Sequence, residues 1–293
     1  MPADYDGGPM GAEMGAVCAG RQGTSWGVCL GCMVLGVFAI GAQAAQAAHY
    51  RGGLGLALFL APAYPDSDSE HLFAYPYPYF EYESPTLHLH HEHLRAKWAR
   101  HSPVSIGFGA NGSPPAAAGT PDARAGMPGL DPTFALGPDV MVRLPWRPHA
   151  WRLWLGARAR YRWAMGPGLQ LMPIGSSTSA FVESRTPRGR AWPIVVSFGP
   201  VFRSHGVNGY FFGVPAAYAV AGRPAYSAPG GYAGLRLSAA VSTHVGPFDF
   251  AIFGRYRNYA GAAFTQSPLL KVSNTLIVGA AVVWVFLRSA NGG

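Results

Sequence analysis

Apolar and polar positions alternate with a period of two along much of this chain, the pattern of strands whose two faces meet different surroundings. From Gly234 to His244 one face reads Leu235, Leu237, Ala239, Val241 and Thr243, and the other Arg236, Ser238, Ala240, Ser242 and His244. Gly246-Pro247 marks a turn, and Phe248, Phe250, Ile252, Gly254 and Tyr256 then alternate with Asp249, Ala251, Phe253, Arg255 and Arg257. Both arms of this hairpin are long enough to cross a bilayer, which takes a tilted strand of about 9–11 residues. Between Trp151 and Trp163 the apolar face is Trp151, Leu153, Leu155, Ala157, Ala159 and Tyr161, and the opposite face is Arg152, Trp154, Gly156, Arg158, Arg160 and Arg162. An arginine turned to hydrocarbon costs roughly 2–4 kcal/mol at the midplane, so this second face needs water. In a closed barrel that water is the lumen or its rim.

The same reading predicts strands over 51–61, 72–82, 85–93, 102–111, 133–144, 191–203, 207–214 and 274–286, and a weaker one over 178–186. With the hairpin and the arginine strand this gives an all-β, antiparallel transmembrane β-barrel of about 12 strands, within a range of about 10–14, even in number as bacterial barrels are. Asn111–Asp131, Met165–Thr178 and Pro215–Gly231 read as loops, and no internal repeat stands out.

Composition supports this picture. Charged residues are 12% of the chain and aromatics 13%, with 39 Gly and 26 Pro. That charge content is about half the usual level for a soluble domain, and so many aromatics argue against disorder. Beyond the N-terminus no apolar run approaches the about 20 residues a spanning helix needs. The first 48 residues read as a signal peptide and leader, with residues 49–286 as the barrel and 287–293 as a C-terminal tail. Gly27–Ala42 is apolar, and the small-x-small sequences Ala42-Gln43-Ala44 and Ala45-Gln46-Ala47 place cleavage after Ala44, Ala47 or Ala48. Asp4, Asp6 and Glu13 are unusual before an apolar core, and a start at Met10 or Met14 would leave Arg21 as its basic residue. An N-terminal anchor helix is the alternative. Cys18, Cys29 and Cys32 all lie in the leader, so the exported chain has no thiol, which suits an oxidising compartment. The segment carries only Arg21 against three acids, so its removal increases the net charge of +8. The basic residues sit singly in strands rather than in a tail or helix, which argues against nucleic acid. The expected location is the Gram-negative outer membrane, reached through the periplasm.

Candidate chemistry is sparse. Tyr75, Tyr77, Tyr79 and Tyr82 resemble an interfacial aromatic girdle, interrupted by Pro76 and Pro78. Trp284 and Phe286 end the strand expected to close the barrel. His88, His90 and Glu92 in Leu-His-Leu-His-His-Glu-His-Leu share one strand face, a weak candidate for a metal held by two imidazoles and a carboxylate. Nothing supplies a spaced partner, and a polar strand end explains the run as well. Arg143, Arg152, Arg158, Arg160, Arg162, Arg236, Arg255 and Arg257 form a basic face for the lumen or its rim, which attracts anions, pairs with Asp139, Asp249 and Glu183 to plug a narrow barrel, or binds lipopolysaccharide phosphates at the rim. Ser204-His205 and Ser242 with His244 lack a nucleophile-elbow setting. A non-enzymatic protein without cofactors is expected.

Several segments resemble one family. Gly53-Leu54-Gly55 through Ala63-Tyr64-Pro65-Asp66-Ser67-Asp68, the Tyr75-Pro76-Tyr77-Pro78-Tyr79-Phe80-Glu81-Tyr82 run, and Asp122–Thr133 followed by Leu136-Gly137-Pro138 are similar to segments of the MipA/OmpV outer-membrane proteins. So are Tyr210-Phe211-Phe212-Gly213-Val214, Pro224-Ala225-Tyr226, Gly230-Gly231 and Ser267-Pro268-Leu269-Leu270. The resemblance implies a barrel of about 12 strands. For some members it implies a scaffold that holds murein hydrolases and synthases together from the periplasmic side, and the surroundings it implies are outer-membrane lipid and lipopolysaccharide. A narrow anion-leaning pore and a surface adhesin are the alternatives. Members usually end on an aromatic residue, whereas here Leu287–Gly293 follows Phe286, and deleting that tail is expected to leave insertion intact.

Overall fold

The computed structural model describes residues 49–62, 70–83, 87–90, 93–97, 103–116, 122–145, 151–186 and 191–289. Within them the alternating segments form strands β1 (His49–Pro62), β2 (Glu70–Glu83), β3 (Leu87–His90), β4 (His93–Lys97), β5 (Val104–Ser113) and β6 (Thr133–Arg143). The second half supplies β7 (Arg152–Met165), β8 (Leu171–Arg185), β9 (Ile194–Arg203), β10 (Gly231–Val245), β11 (Phe248–Asn258) and β12 (Asn274–Arg288). Each strand pairs antiparallel with its chain neighbours, and β12 returns to β1 to close the barrel. Closure leaves no edge, the condition for β-structure in lipid, where no water is available to satisfy free backbone groups.

The outward rows are apolar on most of the strands whose side chains are described. Leu54, Leu56, Leu58 and Leu60 stand exposed on β1, Ile106 and Phe108 on β5, Leu155 on β7, Phe198 on β9, Phe250 and Ile252 on β11, and Leu276 and Val278 on β12. Leu54 is 58% exposed and Ile252 64%, which in water would be a continuous apolar band far beyond an ordinary surface patch. Aromatic belts flank it. At the end holding both barrel termini stand Tyr50, Phe80, Phe248, Trp284 and Phe286, with Trp284 and Phe286 at 5.2 Å. At the other end Phe134 stacks on Trp163 at 5.3 Å, Tyr161 meets Trp163 at 4.8 Å, and Phe202 meets Tyr232 at 5.8 Å. An apolar band between two aromatic girdles is the lipid-facing surface of an outer-membrane barrel.

Connection lengths orient the molecule. At the end with the termini, residues 246–247, 186–193 and 144–151 join strands, and at the other end 114–132, 204–230 and 259–273 do so. Outer-membrane barrels keep short turns in the periplasm and long loops outside, so the long connections are extracellular. They fold together. Ala116, Met127, Leu130, Val207, Phe211, Phe212, Val214, Ala228, Tyr259, Phe264 and Leu269 make one buried cluster, with Phe212 stacked on Phe264 at 4.0 Å. The largest apolar core among the described residues is therefore a cap over the extracellular end.

Three sequence expectations change. Residues 207–214 are not a strand: helix α1 (His205–Phe212) occupies most of that stretch, capped by Ser204, whose hydroxyl accepts from Val207 N at 3.5 Å. Its buried residues, Val207, Asn208, Phe211 and Phe212, follow helical spacing, and the consecutive Tyr210-Phe211-Phe212 hid that period. The expected loop over 165–178 is only a tight turn, with Gly166 N donating to Gln170 O at 2.9 Å, before β8 starts at Leu171. Pro173 and Gly175 made this strand read as loop. The segment 85–93 is divided between β3 and β4, with residues 91–92 outside the described set. Leader residues Ala44, Ala47 and Ala48 also lie outside it.

Candidate functional site

The strand pleat sorts the arginines. On β7 the outward row is Leu155, Ala157, Ala159 and Tyr161, while Trp154, Gly156, Arg158, Arg160 and Arg162 turn inward. Register carries the inward row across the barrel: Arg158 lies opposite Ser179 on β8, and Arg236 on β10 opposite Arg257 on β11. Seven arginines (158, 160, 162, 203, 236, 255 and 257) line one cavity of about 120 Å³. Asn111, Ser113, Ser177, Thr178 and Ser179 add polar groups, and Val207 and Phe211 of the cap form part of its wall. No described lining residue is an acid. Arg143 and Arg152, from the same predicted set, lie near the periplasmic ends of β6 and β7 and do not line it.

These arginines are held in different ways. Arg160 and Asp139 are each 3% exposed and pair at 3.4 Å, and Arg160 NH1 also donates to the carbonyls of Gly137, Pro138 and Ala159 at 2.7, 2.8 and 2.9 Å. Its fork thus fills the place where Pro138 has no N–H to give the ladder. Arg162 donates to Thr133 Oγ1 at 2.7 Å and Asn111 Oδ1 at 3.0 Å, both neutral acceptors. Arg158 lies over the Phe181 ring at 4.0 Å, a cation–π contact. The Nε–H of Arg236 is buried with no hydrogen-bond acceptor among the described residues.

Two of the three acids expected to neutralise this row have partners outside the cavity lining. Asp139 serves Arg160. Glu183 pairs with Arg185, two residues along β8. Asp249 is taken at the periplasmic end by Arg51 at 2.6 Å and His244 at 2.6 Å, and Arg51 also reaches Glu81 at 3.2 Å. This network ties β1, β2, β10 and β11 together beside the seam, and it lies apart from the cavity.

The other predicted residues are placed as follows. Tyr75, Tyr77 and Tyr79 do not form an outward girdle: register pairs them with the inward positions Ala57, Gly55 and Gly53 of β1. Tyr79 is buried and donates to Glu81 at 2.9 Å. The Tyr77 ring fills the place of a side chain at Gly55, where a Cβ would lie 2.4 Å from it. Alternating prolines face out and tyrosines in, the reverse of the expected arrangement, because register with β1 decides which row meets lipid. Tyr82 pairs with Tyr50 on the outward row, within the periplasmic belt. Trp284 and Phe286 are on the outward row of β12, but the strand continues to Arg288, whose NH2 donates to Gly246 O at 3.0 Å. His88 and His90 lie on β3, with Glu83 and Arg95 beside His88 in register, and Glu92 is outside the described residues. Among the described residues no group of three or more His, Cys, Asp or Glu is placed to hold a metal. Sequence reading missed Arg203 and the β8 hydroxyls. Their signal was weak, because Ser176-Ser177-Thr178-Ser179 is polar at every position and hides the period of two, and Arg203 stands alone after Val201-Phe202.

The cap is stitched by polar contacts that sequence gave little sign of. Arg223 NH1 donates to Ala123 O and Ala125 O at 3.0 and 2.8 Å, and its NH2 to Tyr218 O at 2.9 Å. Ser267 donates to Phe212 O at 2.7 Å, and Asn208 to Pro229 O at 2.8 Å. Tyr210 donates to Asp131 O at 3.3 Å, and burial, followed by the Asp131 charge, holds its phenol above the ordinary range, so it remains a donor.

Comparison with known proteins follows the same lines. The chain is similar in structure to the NanC porin (9% identity, 81% of this chain and 98% of that one, TM-score 0.32). It is also similar to the translocator domain of autotransporter NalP from Neisseria meningitidis (9% identity, 87% and 94%, TM-score 0.36). A third is the outer membrane protease OmpT from Escherichia coli (8% identity, 82% and 97%, TM-score 0.30). At these scores the likenesses add nothing to what strand pairing already establishes. No curated protein matches the sequence. The family description "MltA-interacting protein MipA" matches residues 54–286, from the first strand to the end of the last aromatic pair, and the chain belongs to that family.

Proposed function

We propose that this outer-membrane barrel is a non-enzymatic scaffold for envelope maintenance, which holds murein-remodelling enzymes at its periplasmic face. The observation that carries the reading is membership of a family described as MltA-interacting, MltA being a murein hydrolase. Geometry is compatible with it. The extracellular end is occupied by a packed cap, and the 12-stranded wall is smaller than that of the 16–18-stranded porins that leave an aqueous channel. Trp192, 60% exposed in a periplasmic turn, is an aromatic anchor of the kind that dominates protein interfaces.

The test is cross-linking in intact envelopes followed by mass spectrometry of what the tagged full chain retains. A murein hydrolase or synthase is expected among the products, and its yield should fall severalfold in Trp192→Ala. Recovery of the barrel without any murein enzyme would overturn the scaffold. A narrow anion-leaning pore is the second reading, favoured by the arginine row. Steady anion-selective steps in planar bilayers would support the pore, and a silent bilayer would count against it. Adhesion through the extracellular loops is the remaining alternative, read out by binding of intact cells to a surface.

A further inference from the structure

The arginine cavity raises a question that scaffolding does not answer. Strands directly opposite each other avoid like charges, because such pairs destabilise the sheet. Here Arg236 and Arg257 are opposite each other on β10 and β11, and five further arginines converge on the same space. Structural need explains some of them. Arg160 closes the irregular ladder at Pro138 and is balanced by Asp139. It does not explain Arg162, whose hydrogen bonds among the described residues go to the neutral Thr133 and Asn111, or Arg236 with its buried Nε–H. A buried N–H without an acceptor is costly and rare in native proteins, so it points to a missing acceptor.

The chemistry of that acceptor can be narrowed. Guanidinium groups present planar forks that match the paired oxygens of carboxylate and phosphate, and several forks arriving from different strands suit an oxyanion with more than two oxygens. Ser177 and Ser179, opposite the inward Arg160 and Arg158, add hydroxyls from β8 on the same cavity. Size agrees: one water needs roughly 10–15 Å³ of such space, and the cavity offers about 120 Å³. That admits a phosphate group with some of its hydration.

We propose that the cavity beneath the cap is a binding site for a phosphate group, with Arg236 and Arg162 as its principal ligands. The phosphate comes either from a small soluble molecule or from the phosphorylated headgroup of an outer-membrane lipid. This site is independent of the scaffold reading, which stands or falls on capture of murein enzymes.

The experiment is calorimetric titration of the full chain, refolded in detergent micelles, with inorganic phosphate in chloride-free buffer. Saturable one-site binding is expected, weakened about tenfold or more in Arg236→Gln and in Arg162→Gln, the loss expected when one charge-assisted contact is removed. Arg152→Gln, outside the cavity, should bind as the parent does. Unboiled gel mobility reports folding of each variant. Should Arg236→Gln fail to fold, Arg236→Lys takes its place, keeping the charge but losing the fork, with a smaller loss expected. Absence of saturable heat with the parent protein, or equal affinity in the folded variants, would overturn the site. Repeating the titration in micelles doped with lipopolysaccharide separates the sources given that phosphate binds. Competition assigns the site to the lipid headgroup, and undiminished affinity assigns it to a soluble phosphate.

Discussion

Arg160 shows how one side chain can serve the barrel wall rather than the lumen. Its guanidinium supplies donors to three carbonyls around Pro138 and is charge-balanced by Asp139, with both side chains almost fully buried. Removing one member of such a pair leaves the other buried and uncompensated, which typically costs about 3–5 kcal/mol. Arg160→Ala is therefore expected to lower urea stability in micelles by that order, and a loss under about 1 kcal/mol would contradict this role. Gly156 illustrates the complementary constraint of space. A Cβ there would lie 2.3 Å from the Phe181 ring, which fills the lumen opposite it. Gly156→Leu should overpack the interior and cost roughly 1–3 kcal/mol in the same assay. Because Arg158 lies on that ring, displacement of Phe181 should also quench any phosphate binding in the calorimeter.

At the level of elements, the closing strand sharpens the question of the tail. β12 runs to Arg288, two positions beyond Phe286, and pairs Leu287 with Gly52 and Arg288 with Arg51. Ser289 N adds a bond to Tyr50 O at 3.0 Å. Deleting the whole tail from Leu287 therefore removes ladder pairs at the seam, contrary to the expectation that the tail is dispensable. We expect truncation after Arg288 to insert as the full chain does, and truncation after Phe286 to give a lower yield of heat-modifiable barrel in outer-membrane fractions. Equal yields would show that these terminal pairs contribute nothing to closure. The β10–β11 hairpin, by contrast, was fully legible. Its alternation is regular, and Gly246 at φ 60° supplies the left-handed residue that a two-residue turn demands. Helix α1 was missed because three consecutive aromatic and apolar residues satisfy both periods, and its Ser204 cap is a single weak signal.

At the scale of the molecule, the chain places its best-packed apolar cluster outside the membrane band. Phe264 is fully buried against Phe212 and Tyr259, at the meeting point of two extracellular connections. Phe264→Ala should cost the cap roughly 3–5 kcal/mol of local stability. The expected readout is faster cleavage between 204 and 230 by protease added to intact cells, with the barrel fragment still heat-modifiable. Unchanged cleavage would mean that this stack does not hold the cap. A second consequence is that lumen chemistry is shaped at both levels: strands aim the arginines inward, and Val207 and Phe211 of the cap bring apolar surface against them.

What the sequence by itself determined is the wall. A period of two fixes which residues share a face, and the cost of arginine in hydrocarbon fixes which face meets water, so inward arginines and an outward apolar band followed without coordinates. Tertiary structure decided whatever depends on partners distant in the chain. Register with β1 turned Tyr75, Tyr77 and Tyr79 inward, and the pairing of β7 through β10 brought Arg203 of β9 onto one cavity with Arg236 and Arg162. Packing among three extracellular connections made a cap from segments that read separately as loop or strand. Alternation is a property of neighbours in sequence, whereas register, closure and loop packing are settled by contacts tens to hundreds of residues apart, where a local pattern carries no information.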